Sequence, residues 1–159
     1  LGNRLAMCPY SNRKETGWSH PAGLMQYSLS VLKNLRKIND AHDLNLSAET
    51  MIFVSLFHSI GKVGDLENDL FMNEDSKWHR EKLGQFYKYN EKVGKMSWEH
   101  RTLWMLTQVN VPVSREEWLA VLLSPGAYAD EAKFYVGDAP ILSVALNNAI
   151  RMTIALKDA

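Results

Sequence analysis

The hydrophobic and polar positions of this chain follow a helical period along most of its length. Apolar residues recur at three- and four-residue intervals from Leu24 to Ile38, with polar residues between them, which is the pattern of an amphipathic helix. Further helices are predicted where an N-terminal signal precedes an apolar run. These signals are Ser47, Ser97, Ser114 with Glu117 as a capping box, and Asp138 followed by Pro140. The pattern therefore predicts an all-α fold.

The remaining segments indicate the domain organisation. Residues 1–21 contain two prolines and a run of polar and small residues, which predicts an irregular N-terminal arm that covers the rest of the molecule. No segment alternates with period two for long enough to form a sheet, although Lys133–Val136 is a candidate for a brief pairing. We therefore expect a compact bundle of five to seven helices that forms a single domain over residues 22–159.

Composition and charge narrow the classes of function. The chain has 159 residues, of which 46% are hydrophobic and 23% charged, values typical of a folded, soluble domain. Lys plus Arg and Asp plus Glu both number 18, so no net charge attracts nucleic acid or anionic lipid. The apolar stretch Ile141–Ile150 is too short to cross a bilayer, so we expect no membrane association. The single cysteine, Cys8, excludes an internal disulfide and favours a reducing, cytoplasmic setting.

Charge is nevertheless segregated along the middle of the sequence. Residues 65–75 contain five acidic residues and no basic one, whereas residues 77–101 contain seven Lys or Arg against three Glu. One interpretation is a solvated loop followed by solvated helix faces. The other is a polarised surface that binds a charged partner.

Several common catalytic signatures are absent from the sequence. No two histidines have the helical spacing of a zinc site, and no Cys/His cluster occurs. The segment Gly61–Gly64 lacks the spacing of a phosphate-binding P-loop, and no Gly-x-Ser-x-Gly elbow is present. These observations exclude typical zinc proteins, P-loop nucleotidases and serine hydrolases of the α/β type.

The most informative segment is Phe53–Gly64, which reads Phe-Val-Ser-Leu-Phe-His-Ser-Ile-Gly-Lys-Val-Gly. It resembles the signature of the HD phosphohydrolase superfamily, in which a His-Asp pair is followed by Leu-Gly-Lys. Here His58 is present, and Ser59 stands where the family has aspartate. The resemblance extends collinearly over most of the chain and is strongest to small HD-domain proteins of tailed bacteriophages, among them enzymes that hydrolyse deoxynucleotide triphosphates. The other matching stretches are 22–29, 78–90, 123–128 and 140–152.

The resemblance implies a helical HD-like fold with a degenerate metal site. HD enzymes hold a divalent ion with two histidines and two aspartates, and the ion activates water for attack on a phosphate ester. Carried over by position, these four ligands become Tyr27, His58, Ser59 and Ile150. Isoleucine cannot coordinate a metal, and neutral hydroxyls are weak ligands without carboxylates. We therefore expect no metal cofactor, and we expect His58 to be a core residue hydrogen-bonded to Tyr27 or Ser59.

Three functional hypotheses follow. In the first, the chain is a catalytically inactive HD-domain protein that acts as a binding, structural or regulatory module. It would act through a protein partner or through self-association. If it is phage-encoded, it would do so in the cytoplasm of the host cell. In the second, it is a nucleotide phosphohydrolase with an altered site, which binds Mn²⁺, Mg²⁺, Co²⁺ or Zn²⁺ and uses His58 or His79 as base or ligand. In the third, it is a nucleotide-binding sensor without turnover.

The sensor hypothesis rests on three basic residues at positions that match the family. Lys62, His79 and Arg80 are candidates for a shared site that holds a phosphate or another anion. The competing interpretation is that Lys62 extends to solvent and that residues 78–80 begin a surface helix.

Overall fold

A computed structural model describes residues 1–135 and 137–157. The chain is mostly helical, with 59% of residues in helices and 6% in strands, which confirms the predicted helical class. The α-helices are α1 (Gly2–Met7), α2 (Gly23–Ala41), α3 (Ala48–Phe57), α4 (Lys77–Leu83), α5 (Trp98–Gln108), α6 (Arg115–Leu122) and α7 (Ile141–Ala155). Short 3-10 helices cover Lys14–Thr16, Ile60–Val63, Gly126–Tyr128 and Asp130–Tyr135.

The core is built around α2, which packs against both α3 and α7. Val31 and Leu35 on α2 and Leu146 and Ala149 on α7 are fully buried, as the amphipathic pattern predicts for the apolar stripe. Burial of such side chains is the main stabilising contribution to the fold. Helix α6 packs on α3, α5 and α7 and closes the bundle.

Two of the predicted helix starts are capped as the sequence indicates. The Ser47 hydroxyl accepts a hydrogen bond from the backbone N–H of Thr50 at the start of α3. Ser114 and Glu117 form a reciprocal capping box at the start of α6. Both arrangements satisfy backbone donors that the first turn of a helix leaves without partners.

The other two helices begin near the predicted positions, but neither has the predicted side-chain cap. Ser97 precedes α5, but its hydroxyl pairs with the side chain of His100 and caps no backbone N–H. Helix α7 begins after Pro140 without a side-chain cap, so Asp138 is not its cap. The reason at Ser97 is competition, because a nearby imidazole offers its hydroxyl another partner.

A small antiparallel sheet was not predicted. Strands β1 (Phe71–Asn73) and β2 (Tyr87–Tyr89) pair with Phe71 opposite Tyr89. Three residues are too few to show a period-two pattern, and the pairing joins segments that lie apart in sequence. The brief pairing predicted for Lys133–Val136 is wrong for residues 133–135, which lie in a 3-10 helix, and Val136 is outside the described residues.

The N-terminal arm is more ordered than predicted. Residues 1–21 include helix α1 and a 3-10 turn, so the expectation of an irregular segment is wrong in part. The backbone N–H of Leu24 donates to the carbonyl of Cys8, and Cys8 is buried in the core. The arm is therefore joined to α2 by a backbone hydrogen bond and contributes Cys8 to the core.

The segregated charges of residues 65–101 are partly paired within the fold. Arg4 of α1 forms an ion pair with Asp69, and Lys88 of β2 forms one with Asp75. The acidic loop thus meets cations from two other segments. Exposed pairs of this kind add little stability, but they reduce the polarisation that the linear sequence suggests.

Across residues 1–135 and 137–157, no helix combines the length and the apolar character that crossing a membrane requires.

Candidate functional site

A cavity of about 670 Å³ lies between the start of α2, the turn after α3, the segment that follows α6, and one face of α7. The four positions that the HD resemblance assigns to a metal site all line this cavity. They are Tyr27, His58, Ser59 and Ile150. Its volume is in the range of small-molecule sites.

His58 is buried at the inner wall, with both ring nitrogens engaged. Its Nδ1 lies 3.0 Å from the backbone carbonyl oxygens of both Val54 and Ser55, which can only accept. The ring proton is therefore on Nδ1. The other nitrogen, Nε2, accepts a hydrogen bond of 3.2 Å from the Tyr27 hydroxyl. The predicted hydrogen bond from His58 to Tyr27 or Ser59 is thus confirmed for Tyr27.

This environment keeps the imidazole neutral. Burial lowers the pKa of His58 to about 4, and the nearby Lys62 charge acts in the same direction, against two backbone hydrogen bonds that favour the cation. Burial likewise raises the pKa of Tyr27 well above its usual value, with a further rise caused by the adjacent Tyr10. At neutral pH both side chains are uncharged.

The turn that carries His58 is held against α5. Gly61 lies so close to α5 that a Cβ atom there would be 2.1 Å from the carbonyl oxygen of Trp98. The Gly61 N–H donates to the Thr102 hydroxyl at 2.9 Å. The buried Arg101 guanidinium donates to the Gly61 carbonyl at 3.0 Å and to two further backbone carbonyls. Local packing therefore determines where His58 and Lys62 lie.

Lys62 reaches the cavity between two aromatic faces. Its Nζ is 3.9 Å from the ring centroid of Tyr10 and 4.8 Å from that of Trp98. It donates to the Tyr10 carbonyl at 3.1 Å and makes no ion pair within the described part of the chain. Burial lowers the pKa of Lys62 to about 8. The charge of Glu99 opposes this shift without forming an ion pair. Lys62 is therefore mostly cationic at pH 7, with an aromatic face on each of two sides.

The N-terminal arm supplies part of the wall, which the sequence did not indicate. The Tyr10 ring stacks on the Tyr27 ring at 4.0 Å between centroids, and Trp18 meets both rings edge-on. Such pairs stabilise beyond the area that they bury. Because Tyr10 and Tyr27 are joined only through tertiary packing, no local signal identifies them as neighbours.

Arg151 is a second cation at the cavity, and no sequence motif marks it. It lies on the cavity-facing side of α7, is exposed, and forms no ion pair with any residue of 1–135 or 137–157. Helical periodicity gives the only available signal, because Arg151 follows the cavity residues Asn147 and Asn148 by one turn.

Three buried serines belong to the same wall. The hydroxyl oxygens of Ser59, Ser124 and Ser143 have no hydrogen-bond partner among the described residues. A buried hydroxyl without a partner costs about 1–3 kcal/mol. Three buried hydroxyls without a partner therefore lie in this wall, while Ser55 and Glu99 carry other unpartnered buried atoms outside it.

The predicted grouping of Lys62 with His79 and Arg80 does not form. His79 and Arg80 are on the surface helix α4 and do not line the cavity. The Arg80 guanidinium donates to the carbonyls of Glu74 and Asp75. The His79 ring faces the same segment, with Nδ1 3.6 Å from the Glu74 carboxyl group. The interpretation that residues 78–80 begin a surface helix is confirmed.

The donors at the cavity do not suit a metal ion. Its wall, within the described residues, contains His58 but no carboxylate and no thiol. Nowhere in residues 1–135 and 137–157 do three or more His, Cys, Asp or Glu side chains come together as ligands. Both nitrogens of His58 are engaged, and the remaining oxygen donors are neutral hydroxyls, a set that divalent ions bind poorly.

Comparisons with known proteins identify no relative. No protein-family model matches the sequence, and neither the curated proteins nor the solved structures contain a match. The resemblance to the HD superfamily is therefore one of motif residues alone.

Proposed function

We propose that this chain is a non-catalytic binding protein of HD-like type that takes a small anionic molecule into the cavity described above. The observation that carries the proposal is the charge of the wall. The ionised side chains that line it, among the described residues, are the cations Lys62 and Arg151. The buried Glu99 acts on Lys62 from outside the lining, and no ion pair joins the two. A site with this charge favours an anion.

Electrostatics explains why a ligand would be stabilised there. A partly buried ammonium without a carboxylate partner retains unfavourable desolvation energy. Aromatic faces and one carbonyl offset part of this cost at Lys62. An anion next to Lys62 would offset more, and the exposed Arg151 guanidinium offers up to five further donors.

The state of His58 argues against hydrolysis. A general base must have a free nitrogen near the water that it activates. Here Nδ1 bonds to backbone carbonyls and Nε2 to Tyr27, and a pKa of about 4 makes the imidazole a weak base. The second histidine of the hydrolase hypothesis, His79, does not line this cavity.

Membership of the HD superfamily and of its phage branch is part of the proposal, as is a cytoplasmic setting. The clustering of Tyr27, His58, Ser59 and Ile150 around one cavity supports it, because the resemblance alone predicts that these distant positions meet. A regulatory module would use such a cavity to sense a metabolite and change its contact with a protein partner or a second copy of the chain.

The test is calorimetric titration with a panel of anions, together with an assay of turnover. The panel contains orthophosphate, dAMP, dATP, acetate and decanoate, each with and without Mn²⁺. We expect saturable binding of at least one anion, at least about tenfold weaker in Lys62→Met, because loss of one charged partner costs more than about 1.4 kcal/mol. Lys33→Met removes an exposed lysine of α2 and is the matched control, with unchanged affinity.

Two results would overturn the proposal. One is the absence of saturable binding by every anion in the panel at millimolar concentration. The other is Mn²⁺-dependent hydrolysis of dATP that is lost in His58→Ala and retained in His42→Ala, which replaces an exposed histidine.

A further inference from the structure

The cavity extends along one face of α7. Val144, Asn147, Arg151 and Ile154 line it at helical spacing, and the first and last of them are ten residues apart. Ten residues of α-helix span about 15 Å. The lining on this helix face, called the groove below, is therefore long enough to contact a chain-like molecule along its length.

The wall of this groove is largely apolar away from its two cations. Ile150 and Val144 on α7, Leu123 at the end of α6, and Ala127 and Ala132 on the facing segment all line it. Each methylene group that moves from water to such a surface contributes about 0.8 kcal/mol. An apolar chain would thus add to affinity along the groove.

The number of cations limits the charge of the ligand. Proteins that hold di- and triphosphates use several cationic side chains, bound metal or glycine-rich backbone loops. In the described wall, Lys62 and Arg151 are the two cations. So few cations suit a ligand of low charge, and the Arg151 guanidinium by itself can bind a carboxylate or phosphate through two parallel hydrogen bonds.

From these three features, and resting on the proposed function, we infer that the ligand is a linear organic acid, with one anionic head group and an apolar chain that lies along α7. Arg151 anchors the head group, because it is exposed and makes no ion pair within the described residues. Lys62 lies between the rings of Tyr10 and Trp98, and its positive charge attracts the anionic ligand into the cavity.

The test compares hexanoate, octanoate and decanoate by calorimetric titration of the full chain. Affinity should rise about fourfold per methylene group. Each step of two carbons should therefore raise the affinity at least about tenfold. Decanol, which has the same chain without the charge, should bind more weakly. That difference between decanoate and decanol should shrink in Arg151→Met and persist in the control Arg36→Met, which replaces an exposed arginine of α2.

A second pair of variants separates groove binding from unspecific adsorption. Val144→Trp fills the groove and should abolish decanoate binding, whereas Met152→Trp adds the same side chain at an exposed position of α7 outside the lining set and should not. Thermal unfolding of both variants checks that they fold.

The outcomes distinguish this inference from the proposed function. If dATP binds more tightly than dAMP and decanoate, and if Lys62→Met weakens that binding, the inference of a linear acid ligand is overturned. The proposed anion-binding function would remain in place. Chain-length-independent affinity for the carboxylates would overturn it as well. Failure of every anion to bind would overturn both.

Discussion

The hydroxyl of Tyr27 donates a hydrogen bond of 3.2 Å to Nε2 of His58, and this contact joins the first turns of α2 to the residue that ends α3. Both side chains are almost completely buried. The bond completes the hydrogen bonding of a neutral imidazole whose Nδ1 already donates to the backbone. The HD resemblance assigns both positions to metal binding, but here the two side chains bond to each other and carry no charge.

Removal of the Tyr27 hydroxyl should destabilise the fold. In Tyr27→Phe, Nε2 of His58 becomes a buried acceptor without a donor, and the expected loss in free energy of unfolding is about 1–3 kcal/mol. Urea denaturation at pH 7 measures it. Tyr89→Phe removes an exposed hydroxyl of β2 and should change stability by less than about 0.5 kcal/mol. Equal effects of the two substitutions would contradict the hydrogen bond.

Stability should depend on pH through His58. Its pKa is about 4 in the folded protein, against an ordinary value of 6.5, so the unfolded chain binds the proton more readily. The resulting stability is fully present above pH 6.5 and is lost as the pH falls to about 4, by about 3 kcal/mol in total.

Denaturation series between pH 7.5 and pH 4 measure this loss. His58→Gln should show a much flatter profile than the wild type over that range, and the exposed control His42→Gln should follow the wild type. A wild-type profile that does not change between pH 6.5 and pH 4 relative to His58→Gln would refute the assignment.

The close approach of Gly61 to α5 should not tolerate a side chain. A Cβ atom at this position would meet the carbonyl oxygen of Trp98 at 2.1 Å and the backbone nitrogen of Thr102 at 2.9 Å. Because both are backbone atoms, the turn must shift, and we expect Gly61→Ala to lose about 3 kcal/mol. Gly94→Ala is the matched control, since nothing lies within 4 Å of its added Cβ.

Thermal unfolding followed by circular dichroism measures both glycine variants. The control should be unchanged or slightly stabilised, because alanine restricts the unfolded chain more than glycine does. Similar unfolding temperatures for the two variants would show that the turn is not tightly packed on α5.

The predictions that held depend on short-range chemistry. The amphipathic pattern from Leu24 to Ile38 lies within α2, as predicted. The capping box of Ser114 and Glu117 is also present. The serine at position 97 shows the limit of such rules, because the neighbouring His100 competes for its hydroxyl. The paired strands β1 and β2 were missed because each is too short to carry a period of its own.

The candidate site was predicted in part. The HD resemblance indicated that positions 27, 58, 59 and 150 meet, and they line one cavity. The grouping of Lys62 with His79 and Arg80 was wrong, since Arg80 bonds to the backbone just before its own helix. Tyr10 and Arg151 were missed, because one comes from the arm and the other from a helix face whose orientation the sequence alone leaves open.

The sequence by itself determined the helical class and the capped starts of α3 and α6, because periodicity and capping are properties of residue type and near neighbours. Only the tertiary structure decided that Tyr27 satisfies His58, that Tyr10 and Trp98 enclose Lys62, and that Arg151 faces the same groove. These relationships depend on how α2, α5 and α7 pack, and packing is set by many distant contacts acting together, each too weak to leave a local signal.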